Sequence, residues 1–195
     1  MGELLALVGF ALVITVSPGP NNVLLWASGA AFGFVRTIPH ILGTAVGVGL
    51  LGLAVAAGLG VVVTAFPALA LAMRIVGSVY LLYLAWRIAH SGALRQSTSA
   101  RPLRLVEAAA FQLPNPKVWI FALSAITTFR PPELPIAAGS LLVVATMMLL
   151  AIPTAAIWAA GGGVLSPFFA DDTRRRKASL VLGGLVAVTV ISVWI

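Results

Sequence analysis

The residues best suited to chemistry stand in two proline-rich stretches. These are Ser17-Pro18-Gly19-Pro20-Asn21-Asn22 and Gln112, followed by Pro114 and Asn115-Pro116-Lys117. Both interrupt long apolar runs. Proline lacks a backbone N–H and clashes with the preceding turn, and glycine adds freedom, so each stretch should break a helix. Backbone groups freed inside a bilayer cost several kcal/mol unless protein or trapped water satisfies them. Such breaks are therefore tolerated where they face a cavity, and two broken spans in matching places point to a transporter's binding site. Pro114 follows Pro18 by 96 positions, as Pro116 follows Pro20.

Each break carries its own polar groups. Asn115 before Pro116 reads as an N-cap with proline at the first helical position. Ser17-Pro18 and Gly19-Pro20 offer the same pattern in the first span. Lys117 then falls in the first turn, near mid-membrane, where the helix dipole disfavours a cation. Its functional reading is a partner for a substrate carboxylate. The bland reading is a lysine that snorkels or caps carbonyls of the broken helix. Asn21, Asn22 and Gln112 either bind substrate or satisfy freed backbone. Ser17, Pro18, Gly19, Pro20, Asn21, Asn22, Gln112, Asn115, Pro116 and Lys117 form the substrate-binding set, with Lys117, Glu107 and His40 as candidates for proton coupling. Glu107 is expected to be shallow and paired with Arg101 or Arg104. His40 is expected to be a satisfied residue near the interface.

The elements that position these groups must cross a membrane. Of 195 residues, 61% are hydrophobic and 9% charged, with a mean hydropathy of +1.09. That composition belongs to a polytopic membrane protein, with room for about six spans of ~20 residues. We place them at 4–26, 38–64, 66–88, 104–127, 134–160 and 177–195. The fold class is all-α: six transmembrane helices, as two inverted three-helix repeats with spans 1 and 4 broken. The whole chain, 1–195, is one transmembrane domain, with halves of about 1–90 and 104–195. Met1-Gly2-Glu3 lacks the basic start of a signal peptide, so the first run is expected to be retained.

Charge sets the orientation. The net charge of +7 reports topology rather than nucleic-acid binding. Arg36, then Arg87, Arg95, Arg101 and Arg104, then Arg174-Arg175-Arg176-Lys177 fall in alternate loops, which should be cytoplasmic, with both termini periplasmic. Trp26, Trp86, Trp158 and Trp194 read as interfacial anchors, whereas Trp119 reads as packed inside. Gly29 and Gly33, and Gly43 and Gly47, are small-residue pairs that let helices approach closely. They serve packing within one protomer or, as the second reading, a homo-oligomer interface.

Other classes are disfavoured. There is no cysteine, hence no disulfide or thiolate metal site. The two histidines, His40 and His90, are far apart, and neither a H-E-x-x-H nor a G-x-S-x-G motif occurs, so no enzyme, cofactor or metal site is expected. A metal-cation exporter would want intramembrane carboxylates or thiolates, which are missing at mid-span. A passive small-solute channel with paired half-helices is the rival reading.

Ser17-Pro18-Gly19-Pro20-Asn21, the glycine-rich second span, Gly77-Ser78-Val79-Tyr80-Leu81-Leu82-Tyr83-Leu84 and Asn115-Pro116-Lys117 resemble the lysine exporter and homoserine/threonine resistance (LysE/RhtB) family of bacterial exporters. The resemblance covers nearly the whole chain. It implies a small inner-membrane permease that exports amino acids or related metabolites on the proton-motive force. The Asn-Pro-Lys form is closer to the homoserine/threonine branch. Gln112 stands where the family often has Asn, Pro114 is an added proline, and Ala85 replaces a frequent glycine; these departures bear on the substrate more than on the fold.

Overall fold

The computed structural model describes residues 2–90, 101–165, 171–191 and 194. Expectations resting on Arg95 and the polar stretch around it lie outside the described residues. The described residues are mostly helical, with no strand among them.

The first apolar run is two helices, α1 (Gly2–Val16) and α2 (Pro20–Phe32), set at 61° to each other. α3 (Phe34–Ala54) follows after one residue. That residue, Gly33, has φ 82°, a left-handed conformation open to glycine and costly for other residues. Gly33 is thus the hinge between α2 and α3, not half of a packing pair with Gly29. Thr37 Oγ1 donates to the Gly33 carbonyl at 2.9 Å and lies 2.9 Å from Ser28 Oγ, stapling the corner. A π-helical turn, Val55–Leu59, kinks at Gly58 (φ 107°) before α4 (Gly60–Ala65). Phe66 is extended, as a residue before proline prefers, and Pro67 opens α5 (Pro67–His90).

The second half repeats the broken start. α6 (Leu105–Ala110) ends in turns at 111–114, and α7 (Pro116–Phe129) begins after Asn115. α8 (Ile136–Leu165) has 30 residues, and α9 (Asp172–Val188) is capped by Asp171, whose carboxylate accepts from Arg174 N at 3.1 Å. The basic run at 174–177 therefore lies in the first turns of α9, where a loop was expected. Pro39 is inside α3, past its first turn.

By length and apolarity, Phe34–Val62, Ala70–His90 and Ile136–Leu165 could each cross a membrane, and the bent α1–α2 pair makes a fourth. α7 has 14 residues and α9 17. The interior holds polar side chains such as Asn21, Thr37, His40, Gln112 and Asn115. Leu5, Val35, Val106 and Val164 are each more than 70% exposed. A polar interior under an apolar skin suits a chain whose surroundings are lipid.

α8 lies at the centre, packed on α1, α2 and α3; α3 packs on α6, and α5 on α9. Glycines permit the closest contacts. A Cβ at Gly29 would lie 1.9 Å from the Ala159 carbonyl oxygen, and one at Gly162 would lie 1.9 Å from that of Trp26. Gly43 and Gly47 face α6 in the same way, so these glycines serve packing inside one chain. Trp26 is consequently core, 9% exposed and packed with Leu84, Ile88 and Leu182, not an interfacial anchor. Trp86 is exposed and stacks on His90.

Candidate functional site

Pro18, Gly19 and Pro20 end α1 and leave four carbonyls without helical donors: those of Ile14, Thr15, Val16 and Ser17. Side chains take up all four. Ser17 Oγ donates to Ile14 O at 2.8 Å. Asn22 Nδ2 donates to both Thr15 O and Ser17 O at 2.8 Å. Trp158 Nε1 reaches Val16 O at 3.2 Å from α8. Lys117 Nζ donates to Ser17 O at 2.6 Å, with Pro18 O at 3.5 Å. The accounting is complete, as a dry environment demands. Trp158 is thus part of the break and not a belt residue.

α2 begins at Gly19-Pro20. Gly19 is the N-cap, extended (φ −166°), without a side-chain cap. Of the two cap-then-proline patterns in the first span, this one opens the helix, and Ser17 turns back on α1 instead. In the second break Asn115 caps α7: its Oδ1 accepts from Lys117 N at 3.2 Å. The Leu113 carbonyl, freed by the turn, accepts from Trp119 Nε1 at 2.8 Å; Trp119 is half-buried and lines the cleft between α5 and α7, where a packed interior position was expected. Phe111 carries Tyr80 against it, with ring centroids 5.7 Å apart.

The two breaks meet through Asn21, the hub of a buried amide network. Asn21 Oδ1 lies 3.1 Å from Gln112 Nε2, 3.3 Å from His40 Nε2 and 3.3 Å from Thr44 Oγ1. Asn21 Nδ2 lies 3.2 Å from Thr44 Oγ1. Gln112 Nε2 also donates to Ala108 O at 2.9 Å, and its Oε1 faces Asn115 Nδ2 at 3.5 Å. Thr44 Oγ1 donates to His40 O at 3.0 Å. Beside this network lies a cavity of about 50 Å³, lined by Gly19, Pro20, Asn21, Asn22, Thr44, Gln112, Asn115, Lys117 and Thr154 over walls of Val48, Phe121 and Ala151. That volume suits water, whose share of the liquid is about 30 Å³, and lies far below the usual size of a ligand pocket.

The structure brings Gly19, Pro20, Asn21, Asn22, Gln112, Asn115 and Lys117 to one cavity, with Ser17 and Pro18 on the carbonyl side of Lys117. Pro116 flanks the cavity at the first turn of α7 and lines a second cleft with Arg74 between α5 and α7. His40 is fully buried and joined to the network, so it is deeper than an interfacial residue. Glu107 points elsewhere: Arg101 holds its carboxylate in an ion pair, at 2.7 Å to Oε2, and Oε2 accepts from Arg104 N at 2.9 Å. Sequence reasoning missed Thr44, Thr154 and Trp158. Thr44 stands one turn after His40 and Thr154 next to Pro153, the signals that were there to be used.

Comparison with known proteins gives the chain its relatives. Cysteine/O-acetylserine efflux proteins are among the similar chains. That of Salmonella typhimurium (strain LT2) is 32% identical over 127 residues, and that of Escherichia coli (strain K12) is 28% identical over 125. Each match covers 64% of this chain and 64% of the relative, so the chain spans just under two thirds of the relatives it matches. No solved structure matches. The profile of the LysE type translocators matches residues 12–194, and with its two broken helices meeting at a polar cavity, this chain belongs to that family.

Proposed function

We propose that the chain is a bacterial inner-membrane exporter of small neutral amino acids or kindred metabolites, driven by the proton-motive force through alternating access. The observation that carries this reading is the meeting of the α1–α2 and α6–α7 breaks at one cavity, with Lys117 and the capped start of α7 on its wall. A helix N-terminus and a cation together suit a carboxylate. The substrate carboxylate would take Lys117 from the Ser17 carbonyl, and its ammonium would take carbonyls and amide oxygens of the same breaks. Among the described residues, no side chain lining the cavity is an Asp or Glu, so a second positive charge on the substrate would find no partner. The substrates in the relatives' names, cysteine and O-acetylserine, are small and carry neutral side chains, which supports the same class.

The cavity is far smaller than an amino acid requires, so substrate enters when the two breaks move apart. The packing supports two inverted three-helix halves in one transmembrane domain. α3 lies on α6 as α8 lies on α1, while α3–α8 and α5–α9 pair each element with its counterpart. Six passes with both termini periplasmic follow from an odd number of spans per half and basic loops on one side.

Everted vesicles test the reading. With O-acetyl-L-serine as labelled probe, accumulation against its gradient is expected only when the membrane is energised, with lysine competing poorly. Equilibration without accumulation would favour the passive channel.

A further inference from the structure

Gln112 sets the tautomer of His40. Gln112 Nε2 donates to the Ala108 carbonyl at 2.9 Å, which identifies that end of the amide as nitrogen. The Asn21 atom 3.1 Å from it must then be an acceptor, its Oδ1. The same Oδ1 faces His40 Nε2 at 3.3 Å. An amide oxygen brings no proton, so Nε2 carries one, and Nδ1 of the neutral ring keeps a bare lone pair. Nδ1 is buried and has no hydrogen-bond partner among the described residues, in a side chain with 0% exposure.

Among the described residues, no titratable group compensates a charge there. Among the elements packed on α3, α2 and α8 carry no titratable side chain. α6 carries Glu107, held by Arg101. α7 carries Lys117, held by Ser17 O. Arg36, on α3 itself, is exposed. An imidazolium in this position would be a buried, unpaired charge, which proteins do not sustain. Protonated His40 and the closed arrangement of the breaks therefore exclude one another, and two states with different proton affinity are what coupling requires.

We propose that His40 Nδ1 is the binding site of the coupling proton. Protonation opens the break region by disfavouring this packing, and deprotonation lets it close. The amides of Asn21, Gln112 and Asn115 link the ring to the start of α7, so the ring and Lys117 sense one another through position and not through proton hops. This rests on the export reading.

Nuclear magnetic resonance on the chain in lipid tests it directly. The protein has two histidines, so His90→Gln, at an exposed position, leaves His40 as the sole ¹⁵N-histidine signal. The expected spectrum is the Nε2–H tautomer at neutral pH, gaining a proton at Nδ1 on acidification. An Nδ1–H tautomer, or a ring that stays neutral through the acid range in which transport is driven, would overturn the proposal. His40→Gln in proteoliposomes should abolish proton-driven accumulation of O-acetyl-L-serine while probe-for-probe exchange persists. Retained accumulation would overturn the proposal, as would loss of both in a folded, inserted protein. If the His90→Gln chain neither accumulates nor exchanges the probe, the export reading falls, and the tautomer and titration still decide the proton site.

Discussion

Lys117 Nζ donates to the carbonyl of Ser17 at 2.6 Å, across 100 residues of chain. Lys117 stands in the first turn of α7, the wrong end of that helix for a cation, yet its ammonium ends at the C-terminus of α1, where the dipole is negative. One side chain thus sits at an unfavourable terminus and is repaid at a favourable one. Lys117→Met keeps the length and removes the charge. A charge-assisted hydrogen bond is worth about 1.5–3 kcal/mol, so apparent affinity for a neutral amino acid should fall roughly ten- to hundred-fold. Insertion should be normal, because Asn22 still satisfies Ser17 O. Efflux kinetics of the inserted variant decide the matter: unchanged affinity would remove Lys117 from substrate binding.

Gly19 and Gly29 should separate function from folding. A Cβ at Gly19 would meet Lys117 Cδ at 3.0 Å and Nζ at 3.1 Å, the flexible end of a side chain. Gly19 is extended, so its backbone tolerates alanine. Gly19→Ala is expected to insert normally and to lose transport as Lys117 is pushed from Ser17. Gly29→Ala drives a Cβ into the backbone of Ala159. It should cost at least the 1–3 kcal/mol typical of overpacking and lower thermal stability in detergent. Gly9→Ala, with nothing within 4 Å of the added atom, is the neutral control. Equal thermal shifts for Gly19→Ala and Gly29→Ala would contradict this division.

Topology is open to reporter fusions. α8 has 30 residues, about 45 Å of helix, long enough to cross a hydrocarbon core of about 30 Å. Fusions at Glu133 and Thr173 are expected on opposite sides, with Thr173 and Ser97 cytoplasmic and Glu133 and the C-terminus periplasmic. A cytoplasmic C-terminus would remove the arrangement of three spans plus three.

Membrane class, helix breaks and the Asn115 cap were legible in the chain itself. Each is a local matter: proline removes a donor wherever it stands, asparagine caps the turn beside it, and apolar length needs no partner to be counted. Lys117, Asn21, Asn22 and Gln112 were legible as candidates, because polar groups at a break inside an apolar run are costly and few. The tertiary structure decided what each of them touches. Trp26 and Trp158 read as interfacial by position, but Gly162 let one pack in the core and Val16 O drew the other to the break. His40 read as a residue near the surface until the crossing of α2, α3 and α6 buried it with a single ring nitrogen satisfied. Lys117 was the same costly residue whether it bound substrate or capped carbonyls. Only the approach of α7 to the end of α1 gave that charge a carbonyl to hold, because a partner 100 residues away is set by packing and leaves no trace in local sequence.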